Sequence, residues 1–98
     1  MGKIRYSRAA EVDLCGIEDY TLERWGLTQA VHYLKELDAC CERLLRNPNM
    51  GKRCDHIRPG LRRIPCESHV IFYRVDEEGV LVSRILHEGM QPELQAFL

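Results

Sequence analysis

At 98 residues, 45% hydrophobic and 30% charged, the chain has the length for one core and the composition of an ordinary globular domain, which excludes disordered and fibrous classes. Residues 1–98 are read as a single domain. A formal net charge of −1 speaks against nucleic-acid binding by bulk charge, and no apolar run is long enough to cross a bilayer. Arg5 falls where a signal peptide would need its apolar core, so no membrane association and a cytoplasmic address are expected.

Lys3 to Tyr6 alternates, with Ile4 and Tyr6 on one side, as a half-buried strand does. Ser7 can cap a helix whose inner stripe is Ala10, Leu14, Ile17 and Thr21, with Trp25 four further on; Gly26 ends it. After a Gly26-Leu27 link, Thr28 is placed to cap a second helix that buries Ala30, Tyr33, Leu34, Leu37, Cys41, Leu44 and Leu45 and stops at Asn47-Pro48. So short a link predicts an antiparallel helical hairpin.

From Asn47 to Gly60 the composition turns to Asn, Pro, Gly, Lys, Arg and Asp and predicts a long loop. Three strands are then expected: Leu61 to Ile64, His69 to Val75 and Val80 to His87. Asp76-Glu77-Glu78-Gly79 makes the tight turn between the last two, and Pro65 marks an edge or an end. The His69 strand is apolar on both faces, Ile71, Tyr73 and Val75 against Val70 and Phe72, so it belongs in the centre of a sheet. One face meets the helices. The other needs a cover, either a partner or a C-terminal segment carrying Leu94, Phe97 and Leu98.

The five cysteines are odd in number and lack a Cys-x-x-Cys pair, so reduced thiols are expected. Cys54, His56, Cys66 and His69 match no established zinc spacing, and these cysteines are read as small core fillers; neither a metal nor another cofactor is expected. Charge is unevenly spread: residues 46–74 carry seven basic and two acidic side chains, whereas residues 8–45 carry four and eight. Eleven of the fourteen basic residues are Arg, which pairs bidentately and stacks on aromatic rings, so this belt is suited to a charged partner surface. Its bland alternative is a solvated face, with Arg62 and Arg74 simply pairing with Asp55, Glu67 or the acidic turn.

Six stretches in order resemble the ParE branch of the RelE/ParE toxin superfamily, the toxic halves of type II toxin–antitoxin pairs. They are Asp19-Tyr20-Thr21-Leu22-Glu23-Arg24-Trp25-Gly26; Gln29-Ala30 with Tyr33-Leu34 and Leu37; Asn47-Pro48 with Gly51; Ile57-Arg58-Pro59-Gly60-Leu61-Arg62; His69-Val70-Ile71-Phe72-Tyr73-Arg74; and Arg84-Ile85-Leu86-His87. The resemblance implies an α+β, β-α-α-β-β-β fold with an N-terminal helical hairpin on an antiparallel-rich sheet. It also implies a ParD-like antitoxin as partner and DNA gyrase as target. Where many relatives place Met-Asp, this chain has Met90-Gln91 and lacks a negative charge before Pro92.

The superfamily's other class, mRNA endonucleases like RelE, needs cations to stabilise charge on phosphate and groups to move protons. Aligned with them, this chain has Val70 in place of a catalytic arginine, Glu88 in place of a basic residue and Leu94 near a C-terminal tyrosine. An apolar side chain cannot stabilise an oxyanion, so no catalytic residue is assigned. The runner-up is a histidine-based nuclease of YoeB-like type using Arg62, His69, His87 and Glu88. The expected target-binding residues are Arg58, Arg62, Arg63, Arg74 and His87; those for the antitoxin are Val70, Phe72, Leu94 and Phe97. No recognition helix, zinc finger or RNP-like strand is present, and direct nucleic-acid binding is not expected.

Overall fold

The computed structural model describes residues 2–97; Met1 lies outside them, as does Leu98, one of the residues expected to cover the sheet. The elements run β1 (Lys3–Tyr6), α1 (Arg8–Trp25), α2 (Leu27–Arg46), β2 (Lys52–Arg53), β3 (Arg62–Cys66), β4 (His69–Asp76) and β5 (Gly79–His87), with short 3-10 turns at Pro48–Met50 and Pro92–Leu94. The sheet order is β1-β5-β4-β3-β2, so β4 is central as its two apolar faces require. β1 pairs with β5 in parallel and the remaining pairs are antiparallel.

Local chemistry accounts for the helix ends. Ser7 Oγ accepts the Ala10 N–H at 3.0 Å and donates to the Ser83 carbonyl at 2.7 Å, so one hydroxyl caps α1 and fastens it to β5. Gly26 alone makes the link between helices. Its φ of 91° suits a residue without Cβ, its N–H bonds the Leu22 carbonyl, and its carbonyl accepts the Ala30 N–H. Because the chain reverses within that one residue, Leu27 already begins α2, and Thr28 lies inside the first turn instead of capping it. Trp25 also departs from expectation: at the tip of the hairpin it is 61% exposed, with the Arg24 guanidinium 5.5 Å from its ring centre.

Two apolar clusters lie on opposite faces of the sheet. On the helix side, Ala10, Ile17, Leu37 and Leu44 pack on Ile64, Ile71, Tyr73, Val80 and Ile85. On the far side, Phe72 and Leu86 are buried with Cys54 and Leu61, and Val70, Ile57 and Phe97 pack against them. The segment expected as one loop from Asn47 to Gly60 supplies β2, a two-residue strand too short and too basic to show alternation, which pairs with Arg62 and Arg63. Beyond Arg63 the outer edge of β3 has no strand beside it among the described residues, and Pro65 sits there without interrupting a ladder.

A register shift at Phe72/Tyr73 leaves Ser83 as an extra residue on β5: Tyr73 pairs with Val82, and Phe72 with Arg84. The bulge falls where β1 ends, and α1 takes over the uncovered edge of β5 through Ser7 and Asp13.

One cysteine expectation is overturned. Cys40 of α2 and Cys66 at the end of β3 form a disulfide, their Cα atoms 6.5 Å apart. The two residues lie on facing surfaces of the helix-side core, a juxtaposition that spacing 26 residues apart along the chain does not reveal. Cys41 and Cys54 are buried free thiols and Cys15 is exposed. Cys54 belongs to the far cluster and Cys66 to the helix-side one, and among the described residues no group of His, Cys, Asp or Glu could hold a metal ion.

Candidate functional site

The two ends of β5 and the two faces of the sheet create two surfaces. The first is a groove of about 510 Å³ between α1 and the end of β5. Val12, Gly16 and Tyr20 recur at four-residue steps along one side of α1, and Val12 and Tyr20 are 64% and 63% exposed. Gly16 leaves open space between them, for a Cβ built there meets nothing within 4 Å. Ile85 and Leu86 lie opposite, and Met90, His69 and His87 close one end.

The histidines are held differently. His69 and His87 face each other across β4 and β5 with ring centres 5.5 Å apart. The Tyr33 oxygen accepts the Ser68 N–H at 3.0 Å and lies 2.6 Å from His69 Nδ1. Tyr33 Oη and His69 Nδ1 thus share a hydrogen bond whose donor is set by the imidazole tautomer. Burial, and secondarily the neighbouring His87, push the His69 pKa below its ordinary value. His87 is exposed and its Nδ1 accepts the Gly89 N–H. This end of the groove is therefore polar, closed by two adjacent imidazoles.

The second surface is the far face of the sheet. The C-terminal segment crosses it and supplies part of the expected cover: the Phe97 ring stands edge-on to Phe72 with centres 5.2 Å apart. Two arginines hold the segment by its backbone, Arg58 Nη1 donating to the Phe97 carbonyl and Arg84 Nη1 to the Ala96 carbonyl, each at 2.9 Å. Phe72 is 2% exposed beneath it, Val70 is half-buried, and Leu94 is 76% exposed.

The basic belt divides by role. Arg62 donates to the carbonyls of Gly51 at 2.8 Å and Asn49 at 3.3 Å, bracing the turn before β2. Arg63 lies across from Phe72 and Arg74 across from Leu81, both half-buried, on the far face. Asp55 and the acidic turn are among the acids expected to pair with Arg62 and Arg74. Asp55 pairs with Arg53 at 2.8 Å, which holds its carboxyl below the usual range, and Arg5 pairs with Asp76 and Glu78.

The nuclease quartet is not assembled in one place. His69 and His87 adjoin, with the Glu88 N–H bonded to the Ser68 carbonyl nearby. Arg62, however, pairs with Tyr73, four residues along β4 from His69, roughly 13 Å at the usual strand rise.

The pair that sequence reasoning passed over is Asp13 and Arg84. Arg84 Nε and Nη2 donate to the two Asp13 oxygens at 2.8 and 2.9 Å, and Asp13 Oδ2 also accepts the Ile85 N–H at 2.9 Å. Hydrogen bonding to Asp13 raises the already high Arg84 pKa. The available signal was the broken alternation of Val80, Val82, Ile85 and Leu86 around Arg84: a charge within a buried strand requires a partner.

Comparison with known proteins places these surfaces in context. A family described as "ParE toxin of type II toxin-antitoxin system, parDE" matches residues 4–92. Toxin ParE1 of Mycobacterium tuberculosis is 47% identical over 85 residues, covering 86% of this chain and 87% of that protein. Toxin ParE1 of Caulobacter vibrioides is 42% identical over 90 residues, covering 92% and 93%. A chain from a solved structure titled "Chromosomal ParDE TA system from P. aeruginosa" superposes with a TM-score of 0.75 at 22% identity, covering 89% of this chain and 96% of that one, so the two share a fold.

Proposed function

Because the chain belongs to the ParE family of toxins of type II toxin–antitoxin systems, we propose that it arrests growth by binding DNA gyrase, and that a cognate ParD-like antitoxin neutralises it. The observation that carries a binding role is the use of the arginines. A nuclease would aim its cations at a scissile phosphate, whereas Arg62 is spent on the Gly51 and Asn49 carbonyls and Arg58 and Arg84 on the C-terminal segment.

Arg63 and Arg74 are the belt residues best placed on the far face to meet gyrase, with Arg58 and Arg62 shaping the surface around them and His87 at its own site by the groove. The antitoxin lays an apolar segment into the groove along Val12 and Tyr20, and reaches Leu94, Phe97 and the border of Val70; Phe72 becomes available to it only as Phe97 lifts. The cell address is the cytoplasm, where gyrase acts. Co-expression tests the pairing: cells making this protein stop growing, and the antitoxin encoded beside it restores growth. Growth arrest that no co-expressed ParD-like protein relieves would overturn it.

A further inference from the structure

We propose that Cys40 and Cys66 are a reversible thiol–disulfide pair, so that the redox state around the protein sets how firmly α2 is locked to the β3–β4 corner beside His69.

The lock and the histidine belong to one corner. Tyr33, Glu36, Leu37 and Cys40 follow at helical spacing on α2, and all four are buried or half-buried. Tyr33 holds Ser68 and His69 by hydrogen bonds, and Cys40 holds Cys66 covalently. Four residues of chain, Cys66 to His69, thus receive both attachments.

Each sulfur has a second partner that serves the reduced state. Cys66 Sγ lies 3.6 Å from the Glu36 carbonyl, which accepts a thiol hydrogen. Arg43 Nη2 lies 3.1 Å from Cys40 Sγ, where a guanidinium favours thiolate and makes Cys40 the attacking or leaving sulfur. A permanent staple has no need of either contact. The corner is a surface turn: Glu67 and Ser68 are exposed, and Glu67 has a φ of 55°, in the left-handed region that a residue with a Cβ seldom adopts. Of the free thiols, Cys54 is buried in the far cluster and Cys41 is raised above its ordinary pKa by burial, while a mixed disulfide at the exposed Cys15 adds a glutathione mass that the Cys40–Cys66 pair does not.

The oxidant is a small-molecule disulfide such as oxidised glutathione. Cys40 thiolate attacks one of its sulfurs, forming a mixed disulfide and releasing one glutathione thiolate. Cys66 thiolate then attacks the Cys40 sulfur and expels the second. Two protein thiols lose two electrons and two protons in all, and the glutathione disulfide becomes two thiols. Excess reduced glutathione runs the same steps backwards.

The test equilibrates the full chain in glutathione buffers of graded ratio, quenches with acid, alkylates under denaturing conditions and counts labels by mass. The wild type has five cysteines and should pass in one two-electron transition from five labels to three. Cys40→Ala should show no such loss of two labels. Amide exchange across 33–41 and 66–69 should be at least tenfold slower in the oxidised wild type, and its Tm higher by roughly 10 °C or more. Five labels throughout would overturn the pair. Conversion to three with unchanged exchange in those segments would overturn the lock.

Discussion

Asp13 on α1 clasps Arg84 on β5 at two points, 2.8 and 2.9 Å, and the same carboxylate takes the Ile85 N–H from the edge that β1 leaves uncovered. Their side chains are only 12% and 14% exposed, so removing one partner leaves the other charge poorly solvated. Asp13→Ala is expected to cost about 3 kcal/mol, read from urea unfolding followed by far-UV circular dichroism. Asp13→Leu combined with Arg84→Met should recover most of that loss. Equal destabilisation by the single and the double variant would contradict the clasp.

Tyr73 is fully buried, and its hydroxyl joins the end of α2 to β2 by accepting the Gly51 N–H at 2.8 Å and donating to the Pro48 carbonyl at 2.7 Å. Tyr73→Phe leaves both groups without that oxygen and should cost about 1–3 kcal/mol in thermal or urea unfolding. Gly51→Ala should cost more, because its Cβ would overlap the Tyr73 phenol. A Tyr73→Phe protein as stable as the wild type would remove the hydroxyl from the account.

The pH dependence follows from His69. Its folded pKa is depressed below the ordinary 6.5, by burial first and by His87 second, while Asp13 and Glu88 oppose the shift. As pH falls the unfolded chain takes up this proton before the folded one, so the stability His69 contributes is complete above about 6.5 and is lost as pH drops through the folded value. Urea stabilities should fall as the pH drops below about 6.5, and the wild type should lose more than His69→Gln. Parallel curves for the two proteins would contradict this.

Phe97 has a lesser but local effect. Phe97→Ala removes the edge-on contact with Phe72 and should cost about 1–2 kcal/mol. It should accelerate amide exchange in residues 92–97 while leaving α1 and α2 protected. Protection unchanged at 92–97 would show that the two arginine–carbonyl bonds alone hold the segment.

Elements with strong local signals were legible in the sequence. Ser7 and Gly26 mark the ends of α1, the Asp76–Gly79 turn sits as expected, and the two apolar faces of β4 place it in the centre. What escaped was long-range or hidden by shortness: β2 has two residues, and Cys40 meets Cys66 only once α2 lies on the sheet. The site was less legible than the fold for the same reason. Arg58 and Arg62 look from sequence like free recognition groups, but their partners are backbone carbonyls, which no sequence pattern marks. The Ser83 bulge hides Arg84 in an apolar strand, so its bond to Asp13, 71 residues away, emerges only in three dimensions.

As proposed, the chain traps gyrase by binding and cuts no RNA. Purified protein added to DNA gyrase with supercoiled plasmid should trap cleaved plasmid, whereas ribosomes translating a defined message should leave that message intact. Arg63→Ala combined with Arg74→Ala should reduce trapping at least tenfold without lowering the protein's helical content. Cleaved message alongside unaffected gyrase would contradict the account.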